Sequence, residues 1–211
     1  MTMKQPPRAL AVAVLVTGYL VGLVAYPRLL GQFLDAKPAA RILVAFTLPT
    51  TALVIDMLFR SLWVHDRVRS DNGAFEATYH AIIFRVLLFV VALHVVVMIE
   101  LTGAADTLGL RLPAGRTVVV MLGAGMVAIG NLLPRTRPNI GVGVRTARTL
   151  SNRALWQQVH RVGGYATVAL GIVTAAAGLA LRHDAVGPVV TAAEFCAATT
   201  VFISYYRRAR A

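Results

Sequence analysis

The sequence predicts an all-α integral membrane protein, built as a bundle of six transmembrane helices. Its 211 residues are 57% hydrophobic and only 14% charged, whereas soluble globular domains are about 45 to 50% apolar and about 25% charged. Six apolar runs reach the roughly 17 to 25 residues that a transmembrane helix needs. None of these runs shows the strict alternation of a barrel strand, so helices are the structure that satisfies the backbone in lipid.

Each predicted helix is an apolar run bounded by charge, proline or glycine. The six runs are 9–26, 42–59, 81–101, 117–133, 162–181 and 188–206. The first run is long for the apolar part of a secretory signal and no small-residue cleavage site follows it, so we expect a retained helix. Helix contacts are predicted at small residues, because close backbone approach favours them in lipid. The clearest seam, in helix five, is Gly164, Thr167, Gly171, Thr174 and Gly178.

The distribution of basic residues predicts that both termini lie in the cytoplasm. Basic residues concentrate in short cytoplasmic loops. One set of segments holds fourteen, namely Lys4, Arg8, Arg60, Arg67, Arg69, Arg135, Arg137, Arg145, Arg148, Arg153, Arg161, Arg207, Arg208 and Arg210. The opposite set holds six, namely Arg28, Lys37, Arg41, Arg111, Arg116 and Arg182. Topology and attraction to anionic lipid then explain the net charge of +12, without direct nucleic-acid binding.

Five ionisable residues are predicted within or near the ends of the spans, where charge is costly and often functional. They are Asp56, Arg85, His94, Glu100 and Glu194. Asp56 and Arg85 lie about one turn from the cytoplasmic ends of neighbouring helices, which predicts an ion pair acting as a structural clamp or in gating. Glu100 and Glu194 are placed where they could share an outer polar cavity. His94 is predicted to be a hydrogen-bonded packing residue rather than a ligand.

The most basic part of the chain, residues 132–161, contains no acidic residue. Pro134 and Pro138 are predicted to stop helix four and to force turn geometry. Ser151 is predicted to cap a short amphipathic cytoplasmic helix that runs to His160 and places Trp156 at headgroup level. The five histidines are scattered and the single cysteine, Cys196, lies in an apolar run. The sequence therefore predicts no metal site, no cofactor and no catalytic residue.

Residues 130–164, which we call the signature segment, contain an ordered set of residues: Gly130, Asn131, Leu133, Pro134, Arg135, Thr136, Arg137, Pro138, Asn139, Gly143, Val144, Arg145, Thr146, Thr149, Leu150, Ser151, Trp156, His160, Arg161 and Gly164. Their order and spacing resemble the signature of the SdpI family of bacterial membrane proteins. That pattern reads approximately GNxLPKTRPNxxxGIRTPWTLSxxxxWxxTHRxxG. Ala147 and Arg148 replace the usual Pro-Trp, and Val159 replaces the usual Thr. We expect these departures to change which partner or lipid is bound more than they change the fold.

The remainder of the chain resembles this group of proteins less closely. Tyr26-Pro27 and Pro49 give the N-terminal part a weak similarity to the small membrane domain DUF1648. The chain is therefore divided into an N-terminal helix pair with its basic loop, 1–80, and an SdpI-like four-helix region, 81–211.

The resemblance implies a non-enzymatic protein of the bacterial cytoplasmic membrane. Such a protein gives immunity to a secreted antimicrobial peptide, signals by holding a transcriptional repressor at the membrane, or does both. We expect the site that binds a partner or lipid headgroup to comprise Asn131, Pro134, Thr136, Arg137, Pro138, Asn139, Gly143, Arg145, Thr146, Trp156, His160 and Arg161. Arg137 and Arg145 offer planar forks suited to bidentate contact with carboxylate or phosphate. Two alternatives remain: a transporter or permease using Asp56, Arg85 and Glu194, and a membrane enzyme acting on a phosphorylated lipid.

Overall fold

A computed structural model describes residues 8–30, 38–66, 73–107 and 114–209. The helices are α1 (Arg8–Ala25), α2 (Pro38–His65), α3 (Gly73–Leu101), α4 (Ala104–Thr107), α5 (Ala114–Gly130), α6 (Ala147–Ser151), α7 (Arg153–Ala180) and α8 (His183–Ala209). Six of them, all but α4 and α6, are long and apolar enough to cross a membrane. The predicted fold class, a multi-pass helical membrane protein, is confirmed. Lys4, Lys37, Arg67, Arg69, Arg111 and Arg210, used in the topology prediction, lie outside the described residues.

The predicted short amphipathic helix from Ser151 to His160 is wrong in its boundaries. Asn152 has an extended backbone and accepts a hydrogen bond from the Leu155 N–H at 3.0 Å, so it caps α7. Ser151 instead ends α6, where its hydroxyl donates to the Ala147 carbonyl at 2.8 Å. Residues 153–160 are consequently the first turns of the long helix α7. Trp156 is completely buried within the protein.

Helices α5 and α7 form the closest helix pair, and glycine explains how near they come. A Cβ added to Gly171 would lie 2.5 Å from the Gly123 carbonyl oxygen, and one added to Gly164 would lie 2.8 Å from the Gly130 carbonyl oxygen. Such distances leave no room for a larger residue on either helix. The predicted seam of small residues on the fifth predicted helix, which is α7, is therefore confirmed as a packing surface.

The first three long helices pack together as an N-terminal unit, and α3 joins this unit to α5. Its core includes Leu15 of α1, Ala52 of α2, and Tyr79 and Leu87 of α3. At the other edge of the bundle, α8 packs chiefly against α7. None of the apolar window of α8 is buried within the chain. The signature segment lies between these two regions, because it links α5 to α7.

Candidate binding surface of the signature segment

The signature segment begins with a 3-10 turn, Leu133–Arg135, that is tied to α7. The Thr136 hydroxyl donates to the Leu133 carbonyl at 2.7 Å, and the Trp156 indole N–H donates to the Thr136 oxygen at 3.2 Å. Both Thr136 and Trp156 are completely buried. Thr136 therefore closes the turn and also provides the partner that a buried indole requires.

Asn139 organises the next turn through four hydrogen bonds of its amide group. Its nitrogen donates to the carbonyls of Arg137 at 2.6 Å and Val142 at 3.2 Å. Its oxygen accepts from the N–H groups of Gly141 at 2.9 Å and Val142 at 2.7 Å. The side chain is completely buried. Because the backbone forms no helix at this point, the Asn139 amide supplies the hydrogen bonds that water would otherwise make to these backbone groups.

His160 fixes the far end of the loop from α7. Its Nε2 accepts the Val144 N–H at 2.9 Å, and its Nδ1 lies 2.8 Å from the Trp156 carbonyl oxygen. These partners assign a neutral imidazole with its proton on Nδ1. The ring stacks on Trp156, with centroids 3.9 Å apart. Gly143 passes this ring with a φ of +116°, and a Cβ there would overlap His160 Nε2, so glycine is required.

Two threonines complete the bracing by starting α6. Thr146 and Thr149 form a reciprocal capping box, in which each side chain accepts the backbone N–H of the other at 3.1 and 2.8 Å. The Thr149 hydroxyl also lies 2.8 Å from the Val144 carbonyl oxygen. The turn at Gly143 and the start of α6 are thus held by the same few side chains.

The N-terminal unit contributes two residues that the sequence analysis did not select. Asp66, which follows α2, accepts the Ile140 N–H at 2.9 Å. Tyr79 of α3 donates to the Phe59 carbonyl at 2.8 Å. Gly141 approaches this ring so closely that a Cβ would lie 2.6 Å from the Tyr79 hydroxyl oxygen. One feature of the sequence could have indicated the contact of Asp66: it is an acidic residue predicted on the same side of the membrane as the basic segment.

The arginines of the signature segment lie on its outside. Arg135, Arg145, Arg148, Arg153 and Arg161 are exposed. The Arg145 guanidinium donates through Nη1 to the Ile140 carbonyl, which ties the end of that side chain to the loop. Arg137 is half-buried, and its Nε is buried without a hydrogen-bonding partner in the described part of the chain. Asn131 is exposed, Pro138 is buried, and Pro134 packs against Gly164. The surface is therefore basic and its shape is fixed from beneath.

The predicted ion pair between Asp56 and Arg85 is wrong. Asp56 pairs with Arg60, one turn along the same helix, with 2.7 Å between carboxylate oxygen and Nε. Arg85 donates to the Ala81 carbonyl at 3.1 Å. An i,i+4 partner on one helix is always within reach, whereas matching depth on two helices does not make side chains face each other.

The remaining intramembrane residues are spread over separate places. His94 is completely buried, and neither ring nitrogen makes a hydrogen bond of normal geometry in the described residues, although the Gly18 backbone is near. It is a buried residue, and the backbone of Gly18 is the polar group near its ring. Glu100 and Glu194 are both exposed. A cavity beside α8 contains Glu194 without Glu100, so the predicted shared cavity is not seen in the described part of the chain.

Comparison with known proteins gives one match, to the C-terminal third of the chain. Residues 135–206 match the SdpI/YfhL protein family. The matched region starts in the signature segment and continues through α7 and most of α8, which confirms the predicted resemblance to the SdpI family. The DUF1648-like N-terminal part remains a prediction. No curated protein and no solved structure matches the chain.

Proposed function

We propose that this protein gives immunity to a secreted antimicrobial peptide, or signals, by binding a partner through the basic surface of its signature segment. The SdpI/YfhL match supports the immunity type of function. In this proposal the protein is not an enzyme, and its partner carries the carboxylate or phosphate groups that exposed guanidinium groups recognise.

The observation that carries the proposal is that buried polar residues of the signature segment hold its loop, whereas most of its arginines are exposed. Thr136, Asn139, Trp156 and His160 are buried and bond to the loop itself. Five of the six arginines are exposed on this backbone, and Arg137 is half-buried. A fixed array of charges binds a partner with less loss of conformational freedom than a mobile loop would. Basic residues needed only for orientation would require no such support.

The hydrogen bonds of His160 also argue against the alternative of a membrane enzyme. Both ring nitrogens are engaged, one with Val144 N–H and the other with the Trp156 carbonyl. A general base needs a free nitrogen within reach of its substrate. His160 is therefore better suited to hold the loop than to move a proton.

The three charged residues named for the transporter alternative lie apart from one another. Asp56 is paired with Arg60 on α2, and Arg85 bonds to the backbone of its own helix. Glu194 lies on α8, which packs chiefly against α7. These three residues do not form one site, so we retain the binding function.

A survival assay tests the proposed function. A bacterium sensitive to the secreted peptide against which SdpI family members protect should survive when it expresses the wild-type chain. The double variant Arg137→Lys, Arg145→Lys keeps the charge but loses the planar forks, so we expect it to lose most protection. Arg153→Lys, outside the matched pattern, should protect like wild type. Full protection by the double variant would return the segment to a plain topology signal.

The assay depends on the orientation, which a labelling experiment checks separately. In a Cys196→Ser background, we expect Arg148→Cys to be shielded from an impermeant thiol reagent applied to intact cells, because both termini and the signature segment are proposed to be cytoplasmic. Arg182→Cys, exposed on the opposite side, should react. Labelling of Arg148→Cys from outside would reverse the orientation.

A further inference from the structure

A cavity of about 360 Å³ lies among α1, α2 and α3, behind the signature segment. Its volume falls within the range of small-molecule sites, which is roughly 300 to 1,000 Å³. Tyr79 lines the cavity and also packs against Gly141 of the signature segment. The charged residues of the cavity are not among the residues assigned to the proposed binding surface.

The polar groups of the cavity carry both signs of charge. Arg8 and Arg60 supply guanidinium groups, whereas Asp56 and Glu76 supply carboxylates. Arg60 is held by Asp56 at 2.7 Å, which fixes both groups in the cavity wall. Arg8 is exposed at the start of α1. The Glu76 side chain is 47% exposed near the start of α3, and one of its carboxylate oxygens lies 3.9 Å from Nε2 of His80, which also lines the cavity. A cation and an anion therefore line the same cavity.

Aromatic rings and apolar side chains form the remaining walls. Trp63 lies 4.7 Å from Tyr79 and 5.4 Å from His80 between ring centroids, so three rings cluster beside Glu76. Ile83, Phe84 and Leu87 line the part farther along α3 from Glu76. The cavity thus passes from charged at the helix ends to apolar towards the middle of the span.

We propose that this cavity binds a zwitterionic phospholipid whose headgroup carries a phosphate and a primary ammonium, as in phosphatidylethanolamine. Arg8 and Arg60 would hold the phosphate, since guanidinium and phosphate form strong charge-assisted hydrogen bonds. Glu76 would accept from the ammonium, which the ring of Trp63 also attracts. The start of an acyl chain would lie along Ile83 and Leu87. This inference does not depend on which partner the signature segment binds.

Two other lipid headgroups fit the cavity less well. Phosphatidylglycerol carries the same phosphate, but its neutral glycerol offers hydroxyl groups to Glu76 in place of a cation. A choline headgroup has a cation but no N–H groups to donate to a carboxylate. One charge-assisted hydrogen bond lost on such a change corresponds to about tenfold in affinity.

Tryptophan fluorescence of the full chain in detergent gives a reporter inside the cavity. Trp63 lines it, whereas Trp156 is completely buried elsewhere. We expect dihexanoyl phosphatidylethanolamine to give a saturable change in emission that Trp63→Phe removes. Dihexanoyl phosphatidylcholine and phosphatidylglycerol should each bind about tenfold more weakly. Free phosphoethanolamine, which lacks the chains, should also bind more weakly.

Matched variants assign the two charges. Arg8→Gln should weaken binding of phosphatidylethanolamine and phosphatidylglycerol alike, whereas Glu76→Gln should weaken binding of phosphatidylethanolamine alone. Arg8 is exposed and the Glu76 side chain is 47% exposed, so we expect both variants to fold, as thermal unfolding checks. Arg153→Gln and Glu100→Gln make the same charge changes outside the cavity and should have no effect.

Three results would overturn the proposal. An absence of any saturable Trp63 signal would leave the cavity without a lipid ligand. Equal or tighter binding of phosphatidylglycerol would remove the role of Glu76 and the ammonium group. Equal binding of free phosphoethanolamine would assign the site to a soluble ligand instead of a membrane lipid.

Discussion

Two buried histidines sit in opposite surroundings. His160, in the signature segment, bonds through both ring nitrogens to Val144 and Trp156 and stacks on the Trp156 ring. His94, in the N-terminal unit, is buried as completely, yet its ring nitrogens make no hydrogen bond of normal geometry to the described residues. We therefore expect the imidazole of His160 to raise the free energy of unfolding and that of His94 to lower it, because a buried polar group without a hydrogen bond is destabilising.

The contrast extends to the regions around these histidines. Polar side chains of the signature segment point inward and bond to the loop, as Asn139 and Thr136 do. Charged side chains of the N-terminal unit line a cavity, as Arg8 and Glu76 do. We infer that the first region keeps a fixed shape to present its arginines, whereas the second keeps space for a ligand. Substitutions that separate the two roles test this contrast.

The largest loss of stability is expected for Gly143→Ala. The residue has a φ of +116°, and a Cβ would overlap His160 Nε2. We expect the free energy of unfolding to fall by about 3 kcal/mol, since strain adds to the loss of the His160 hydrogen bond. Thermal unfolding in detergent measures it. Gly187→Ala is the matched control, because no atom lies within 4 Å of its added Cβ and the helix should gain stability. Equal behaviour of the two variants would mean that the loop is not packed on His160.

A smaller loss is expected for Asn139→Ala, which removes all four hydrogen bonds of the buried amide. The N–H groups of Gly141 and Val142 would lose their acceptor. The expected decrease is about 2 kcal/mol, measured by denaturant unfolding. Asn131→Ala changes the same residue type at an exposed position and should be close to neutral. A neutral Asn139→Ala would show that water can replace the side chain, and the proposed rigidity would fail.

His160→Leu should lower stability by about 1 to 2 kcal/mol, because Val144 N–H loses its acceptor and the ring loses its stack. Loss of protection in the survival assay should accompany it, even though every arginine is retained. A variant that is less stable but fully protective would separate the shape of the loop from its function.

The smallest effect is expected for His94→Leu. Its imidazole is buried and makes no hydrogen bond of normal geometry to the described residues, so its removal should leave stability unchanged or raise it by about 1 kcal/mol. Thermal unfolding beside His160→Leu gives the comparison directly. A loss larger than that of His160→Leu would mean that His94 has a bonded partner, and the contrast between the two regions would collapse.

Much of the fold was predictable because the thickness of a bilayer sets the length of a span. The six apolar runs correspond to the six long helices. The glycines of the fifth predicted helix, which is α7, marked its contact with α5. The start of α7 was missed because Ser151 and Asn152 are adjacent residues that both cap helices well. Only the extended backbone of Asn152 shows where α7 begins.

The candidate site was harder to predict from the sequence. Residue types suited to bind a partner are the same types that bond to a loop, so Asn139 and Thr136 were expected to contact a ligand and instead brace the backbone. Partners from distant parts of the chain leave no local pattern, which is why the contact between Asp66 and Ile140 was missed. Rotation about a helix axis likewise decides that Asp56 pairs with Arg60 rather than with Arg85.

Amide hydrogen exchange across residues 140–144 tests most directly whether the signature segment is a rigid support for its arginines. The N–H groups of Ile140, Gly141, Val142 and Val144 donate to side chains of Asp66, Asn139 and His160. We predict that they exchange slowly, with an opening free energy close to that of the surrounding helices. Exchange at the rate of an unstructured peptide would show a mobile loop and would contradict the account.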